Sequence, residues 1–457
     1  MLFSSITFLY YFLPWVVVLY FLVPRKLKNL VLLGASLFFY AWGEPKIIFC
    51  MLTSILVGYM LSRLTEKYPQ YKKLYLTLAV VFCLGILGYF KYANFFIQNF
   101  NRFVGTSIPL LKITLPIGIS FYTFQMLSYH IDVYRGKVSA QKNLIHLATY
   151  ITMFPQLIAG PIVRYQDIED QLELRSHNFQ DISLGIRRFV LGLAKKVLLA
   201  NVLGEVCAAF HSSNEKSVLF YWMYAVAFSL QIYFDFSGYS DMAIGLGRIF
   251  GFTFMENFYY PYISKSITEF WRRWHISLGS WFRDYVYIPL GGSKVGNIRM
   301  YLNLLIVWIL TGLWHGAEWK FVIWGLYFAV LLVIEKKFML KYLENAKIMN
   351  HIYVMISIII SFVIFDATSM DQAFGHIREM FGRGTAPVIS AEAVYYLKSY
   401  TVVLLTAIIG ATPFPKKMAE RIKYSSYMEP TVLLVLLVVV TSYLIDGSFN
   451  PFLYFRF

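Results

Sequence analysis

Two histidines stand where an imidazole is both costly and useful. His315 ends the stretch Trp308-Ile309-Leu310-Thr311-Gly312-Leu313-Trp314-His315-Gly316, at the close of a strongly apolar run. An unperturbed imidazole has a pKa of about 6.5, so it takes and releases a proton near neutrality. An ionisable group at membrane depth costs about 2.5–3.5 kcal/mol on insertion scales and is a functional candidate by default. Thr311 lies one turn earlier, within reach of the ring, and Gly312 and Gly316 leave room for a ligand or another backbone. Composition leaves two readings level: a proton acceptor, or a core histidine satisfied among tryptophans. His275 lies in Glu269-Phe270-Trp271-Arg272-Arg273-Trp274-His275-Ile276-Ser277-Leu278-Gly279-Ser280-Trp281-Phe282-Arg283-Asp284-Tyr285. Wound as one helix, Phe270, Trp274, Leu278, Trp281 and Tyr285 form an aromatic stripe. Arg272, Arg273 and Arg283 then take the polar side, and Glu269 pairs with Arg273 at i+4. This is the pattern of an amphipathic helix lying on the inner leaflet. The three arginines also suit the phosphates of a cytosolic nucleotide-like cofactor.

Carboxylates add to the polar inventory. Asp235 and Asp241, in Tyr233-Phe234-Asp235-Phe236-Ser237-Gly238-Tyr239-Ser240-Asp241, interrupt an apolar helix, and Asp284 follows Arg283. The two helical aspartates can orient a histidine, line a polar channel, or pair structurally with an arginine. The remaining histidines are less pointed. His177, His211, His351 and His376 fall in loops or at span edges, where a solvated ring suffices, and His130 and His146 flank a basic loop. Cys50, Cys83 and Cys207 are far apart in apolar surroundings. They match neither a disulfide framework nor a metal spacing, so no metal is expected.

The elements that position these groups are membrane helices. Hydrophobic residues make up 58% of the 457 and charged residues 14%. A soluble globule has about 45–50% apolar and about 25% charged residues, so a soluble enzyme, a disordered chain and a fibre are excluded. Long continuous apolar runs also exclude a porin-like barrel. At about 20 residues per crossing, the apolar content amounts to about eleven transmembrane helices. The net charge of +16 is read as topology-setting lysine and arginine in cytosolic loops, not as a nucleic-acid surface.

Sidedness follows from those loops. No Lys or Arg precedes the apolar run Ile6 to Val23, so the N-terminus does not read as a cleavable signal. Arg25, Lys26 and Lys28 after that run place the loop in the cytosol and the N-terminus outside. Arg63, Lys67, Lys72 and Lys73 mark the next inner loop, and Arg135, Lys137 and Lys142 the one after. Lys336, Lys337, Lys341 and Lys347, then Lys416, Lys417, Arg421 and Lys423, mark later ones, which puts the tail 445–457 outside. The segment Phe154-Pro155-Gln156-Leu157-Ile158-Ala159-Gly160-Pro161 cannot be a plain span. It reads as re-entrant or broken, beside a cavity, because irregular backbone at membrane depth must have its polar groups satisfied. No linker or repeat divides the chain, so residues 1–457 read as one integral domain.

These residues also resemble a known family. Residues 231–335 resemble the membrane-bound O-acyltransferases, in particular the bacterial branch containing the alginate O-acetyltransferase membrane subunit. The carrying motifs are the Tyr233-to-Asp241 stretch, the Phe270-to-Asp284 block, Tyr287-Ile288-Pro289-Leu290-Gly291-Gly292, and Leu310-Thr311-Gly312-Leu313-Trp314-His315-Gly316-Ala317. Met1-Leu2-Phe3-Ser4-Ser5 and the Pro155-to-Pro161 segment look familial too. Tyr260, before Pro261, stands where the pattern leads one to expect a basic residue.

The resemblance implies an all-α integral membrane fold, with re-entrant and interfacial helices around a central funnel. It implies that His315 is the catalytic histidine deep in that funnel and His275 the second motif histidine. Acyl transfer to a hydroxyl needs a base that removes its proton as it attacks the thioester carbonyl. Oxyanion donors must stand nearby; tryptophan N–H groups qualify, and the sequence does not choose among them. The implied donor is acetyl-CoA or another acyl thioester used as substrate, with no bound cofactor. The implied setting is the bacterial cytoplasmic membrane, with an extracytoplasmic acyltransferase partner that modifies an exported polysaccharide. The C-terminal Asn450-Pro451-Phe452-Leu453-Tyr454-Phe455-Arg456-Phe457 resembles the tail of a small partner in lipoteichoic-acid D-alanylation, which makes Tyr454 an acyl-relay candidate. An interfacial aromatic belt explains the same residues. D-alanyl transfer from a carrier protein to teichoic acid is the alternative within this chemistry. A transporter with intramembrane His and Asp is the alternative outside it, although two similar halves are not evident.

Overall fold

The computed structural model describes residues 1–421, 427–447 and 452–453. Helices account for the regular structure, and no strand occurs among the described residues. The physical reason is the one that governs the composition: in hydrocarbon a backbone must satisfy its own polar groups, and a helix does so within one segment. Seven described helices are long and apolar enough to cross a membrane: Ile48–Lys67, Pro69–Val104, Val218–Ile249, Asn297–His315, Met349–Asp366, Ala391–Gly410 and Met428–Asp446. A shorter apolar helix covers Thr7–Leu22. This is a multi-pass membrane protein. The helix expected over Ile113 to Ile131 starts only at Ile119. Pro116 and Gly118 precede it, and Gly118 has φ +75°, outside the right-handed helical region.

Contacts divide the chain into two units. One comprises Met1–Phe189 with Ser240–Glu256, the other Val190–Tyr239 with Asn257–Phe457. The first holds the proline-broken segment. Helix Leu144–Thr152 stops at Met153, and a short turn, Phe154–Leu157, follows. Protein groups hold this irregular segment in place. Phe154 N–H donates to Ser36 Oγ at 3.1 Å, and Gln156 Nε2 donates to the Tyr150 carbonyl at 2.7 Å. The Tyr150 hydroxyl donates to the Val163 carbonyl at 3.0 Å.

In the second unit, Asn297–His315 and Trp319–Ile334 form a tightly packed hairpin. A Cβ on Gly312 would lie 2.1 Å from the Phe321 carbonyl oxygen, and one on Gly325 would lie 2.2 Å from that of Trp308. The space at Gly312 is therefore taken by backbone and that at Gly316 by the Phe321 ring, not by a ligand. Small residues let membrane helices approach this closely, and the approach fixes the end of the helix that carries His315.

Candidate active site

The stripe through residues 270–285 does not lie on one helix, and its side chains pack inside the protein instead of forming an exposed apolar face. Helix Ile267–Arg273 ends, and a separate helix, Ile276–Phe282, begins after His275. Phe270, Trp274, Leu278, Trp281 and Tyr285 are all buried. The first helix is built at its N-terminus, where Ser266 Oγ accepts the Glu269 N–H at 3.0 Å. The buried Glu335 carboxylate accepts the Thr268 N–H at 2.9 Å and the Thr268 hydroxyl at 2.8 Å. An anion at a helix N-terminus is favourable because the first amide groups lack intrahelical acceptors.

His275 sits at the break with φ +45°, one of two non-glycine residues in the left-handed region among those described; Tyr260, at +47°, is the other. Such a conformation costs of order 1–3 kcal/mol and persists only where neighbours over-determine it. Here Asn257 does so. Its carbonyl accepts the Ile276 N–H at 3.0 Å, and Tyr259 N–H donates to the Arg273 carbonyl at 2.9 Å, so the 257–259 segment is stitched across the break. Asn257 Oδ1 accepts the Ser277 hydroxyl at 2.8 Å and the Ser277 backbone N–H at 3.3 Å, and lies 3.1 Å from His275 Nδ1. A backbone N–H can only donate, so the atom facing it is the amide oxygen. His275 Nδ1 therefore carries the proton toward that oxygen, and Nε2 holds the lone pair of the neutral ring. Burial first, then the nearby His315, push the His275 imidazole well below its usual range. The ring is thus held neutral and in one tautomer.

Replacing Asn257 with Leu removes that acceptor. The expected outcome is a fall in kcat on the order of 10²-fold, the scale of a misplaced catalytic group. Asn257→Asp keeps an acceptor and adds a negative charge, which favours the imidazolium and moves the acid limb of the pH–rate profile upward. Unchanged pH profiles in both variants would show that Asn257 does not act on the ring.

His315 lies close by on another element. It is the last residue of Asn297–His315 and remains 7% exposed, against 2% for His275. The Trp314 ring centroid lies 5.8 Å from that of His275 and 5.1 Å from that of His315. Trp324 and Phe365 complete the wall around His315, with centroids at 5.1 and 5.4 Å. The structure thus brings together two imidazoles separated by forty positions in the chain. Thr311, expected within reach of the ring, donates its hydroxyl to the Val307 carbonyl at 2.8 Å instead. The Trp324 indole N–H is buried and has no hydrogen-bond acceptor among the described residues. A buried donor in that state is costly.

The carboxylates play structural parts. Asp235 is buried against Lys196 Nζ, and its other oxygen accepts the Leu453 N–H at 2.8 Å. Its partner is neither a histidine nor an arginine. Lys196 escaped the sequence reading because it sits in an ordinary-looking Lys195-Lys196 pair. Asp241 does pair with an arginine: in the other unit Arg188 lies 2.9 Å from it and also binds Glu256. Phe452 is buried, its ring 4.4 Å from that of Tyr239 and under the Lys196 ammonium at 4.7 Å. Residues 452–453 are therefore packed inside the second unit and not spread in an interfacial belt. Tyr454 lies outside the described residues.

Of the three motif arginines, Arg273 pairs with Glu269 at 2.8 Å and donates to the Tyr259 carbonyl at 3.1 Å, and Arg283 pairs with Asp284 at 2.7 Å. Arg272 has no ion pair among the described residues and is exposed. Two histidines read as solvated or peripheral are buried. His130 is inside helix Ile119–Tyr134, and His376 packs against Phe210, Tyr221 and Tyr224. No cluster of three His, Cys, Asp or Glu suited to a metal ion occurs among the described residues.

The second unit of this helical membrane chain thus buries two imidazoles against one indole, one of them held neutral. Comparison with known proteins gives that arrangement a family. The model for the membrane-bound O-acyltransferase family, MBOAT, matches residues 138–370. A probable alginate O-acetylase, AlgI, of Azotobacter vinelandii is 38% identical, with all of both chains covered. A peptidoglycan O-acetyltransferase of Helicobacter pylori is 32% identical over 100% of this chain and 98% of its own. A teichoic acid D-alanyltransferase of Bacillus subtilis is 31% identical over 47% of this chain and 58% of its own. The chain belongs to the membrane-bound O-acyltransferase family. It is an enzyme that transfers acyl groups to oxygen, and the transporter reading is set aside.

Proposed function

We propose that the protein O-acetylates an exported cell-surface polysaccharide, drawing the acetyl group from a cytosolic thioester, acetyl-CoA or another acyl thioester. The observation that carries the chemistry is the pair of buried imidazoles around Trp314. His315 acts as the base: it takes the proton of the acceptor hydroxyl as that oxygen bonds to the thioester carbonyl carbon. The carbonyl oxygen becomes the oxyanion, which Trp324 N–H receives. Collapse breaks the carbon–sulfur bond, and the leaving thiolate takes the proton back from His315. His275, neutral with its lone pair on Nε2, is the second polar wall of the site. Arg272, which has no internal ion pair, is the arginine best placed in charge terms for donor phosphates. Full-length likeness to polysaccharide and peptidoglycan O-acetyltransferases supports the acetyl donor and the extracellular acceptor.

The polymer lies outside and the donor inside, so the site is read from both faces of the cytoplasmic membrane, with both termini outside. Tyr454, next in sequence to the anchored Leu453, is the proposed phenol that takes the acyl group before an extracytoplasmic acyltransferase passes it to the glycan. Sealed vesicles test the arrangement. With the protein oriented one way, labelled acetyl-CoA outside is expected to label protein or glycan sampled from the lumen. A requirement for donor and acceptor in one compartment would sink it. D-alanyl transfer is the second reading, favoured by the half-length likeness to teichoic acid D-alanyltransferase. A D-alanyl carrier protein in the same vesicles, active where acetyl-CoA is not, would decide for it.

A further inference from the structure

A second polar cluster, in the other unit and unrelated to acyl transfer, gathers cations without counter-charges. Tyr20 closes the first apolar helix, and its hydroxyl lies 2.7 Å from the Phe250 carbonyl, 2.8 Å from Arg175 Nε and 2.9 Å from His177 Nε2. The Lys28 ammonium sits over the Tyr20 ring at 4.5 Å and the Phe21 ring at 5.0 Å. The Arg175 guanidinium sits over Phe252 at 4.5 Å, and its other acceptors are neutral, Asn29 Oδ1 at 2.7 Å and the Gln171 carbonyl at 3.1 Å. Arg25, in the exposed turn Arg25–Leu27, adds its charge to both Lys28 and His177. No carboxylate forms an ion pair with Arg25, Lys28 or Arg175 among the described residues. Burial and these cations push His177 below its ordinary range. Aromatic faces hold the cations in place, but they do not cancel the mutual repulsion.

An apolar groove runs along the same two helices toward this cluster. Its volume is about 680 Å3, and Trp15, Leu19, Val31, Gly34 and Phe38 line it between the first two helices. Leu19 precedes Tyr20, and Val31 stands one turn beyond Lys28. A Cβ on Gly34 would meet nothing within 4 Å, so the groove is open there. Leu22 and Leu27, beside the cluster in sequence, are exposed.

We propose that this is a binding site for one anionic phospholipid: its phosphate is taken by Lys28 and Arg25 in the field of Arg175, and an acyl chain lies in the groove past Gly34. A headgroup with net negative charge fits because the site has several uncompensated cations, and a zwitterion brings its own. A groove of this kind also needs a ligand with an apolar tail, which a free phosphate lacks. Basic side chains at a membrane surface each add measurably to binding of anionic lipid.

The test uses the full chain in nanodiscs of phosphatidylcholine with phosphatidylglycerol, released into mild detergent and weighed by native mass spectrometry. Wild type is expected to retain one phosphatidylglycerol. Lys28→Gln with Arg25→Gln is expected to bind it about ten- to thirty-fold more weakly, the scale for two basic residues. Lys26→Gln, on the same exposed turn, is expected to behave as wild type. Gly34→Leu fills open space, so it is expected to fold and to lose the lipid through the chain, not the headgroup. Equal retention by wild type and the double variant, or by Gly34→Leu, overturns the site. So does retention of phosphatidylcholine in equal measure. Displacement of phosphatidylglycerol by millimolar glycerol 3-phosphate would assign the cations to a free phosphate and overturn the lipid.

Discussion

His315→Gln is expected to lower kcat for acyl transfer by about 10²–10⁴-fold, the range for removing a positioned base, while the protein still folds. The argument is geometric. His315 ends a helix whose position is set by backbone contact at Gly312 and Gly325, and its ring is walled by Trp314, Trp324 and Phe365. Glutamine fills much of that space but cannot take a proton at neutral pH. Trp324→Phe supplies the comparison. It keeps an aromatic ring beside His315 and removes only the N–H, so kcat is expected to fall on the order of 10²-fold, the cost of one oxyanion donor, with KM little changed. Both are read by transfer of labelled acetyl from a thioester, at saturating donor, in detergent-purified protein of verified monodispersity. More than a tenth of wild-type kcat in His315→Gln would remove the base from the mechanism.

The largest effect on stability is expected at Lys196. The Lys196–Asp235 pair is buried on both sides, and removing one member leaves a buried charge without its counter-ion. Lys196→Met is therefore expected to destabilise the fold by about 3–5 kcal/mol, read by denaturant titration in mixed micelles. Lys196→Met with Asp235→Asn is expected to recover most of that loss. No charge then remains, and the Asn side-chain oxygen can still accept the Leu453 N–H, which Asp235 holds at 2.8 Å. The residual loss is the Lys196 contact with Phe452, worth about 0.5–2 kcal/mol for a cation over a ring. A single variant no less stable than the double one would mean that the pair carries no net burden of burial.

The legible part of this protein lies in composition and in short motifs. Apolar runs of spanning length announce helices because hydrocarbon leaves a backbone no other partner. His275 and His315 stand out because an imidazole in apolar sequence is expensive. The i+4 pair of Glu269 with Arg273 was equally readable, since helical spacing alone brings the two together. Reading residues 270–285 as one amphipathic helix failed because period cannot see a break. The break at His275 depends on an acceptor, Asn257, eighteen positions away and itself unremarkable in type.

Chain chemistry by itself determined that this is a helical membrane protein and marked two imidazoles to watch, because hydrophobicity, helical period and local motifs are properties of neighbouring residues; that it is an enzyme came from its likeness to a family. The tertiary structure alone decided that Trp314 packs against both of those imidazoles, that Asn257 selects the His275 tautomer, that Lys196 and not an arginine answers Asp235, and that Phe452 is buried. Each of these is a pairing across many residues, set by which helix faces pack together, and one-dimensional periodicity carries no record of that choice.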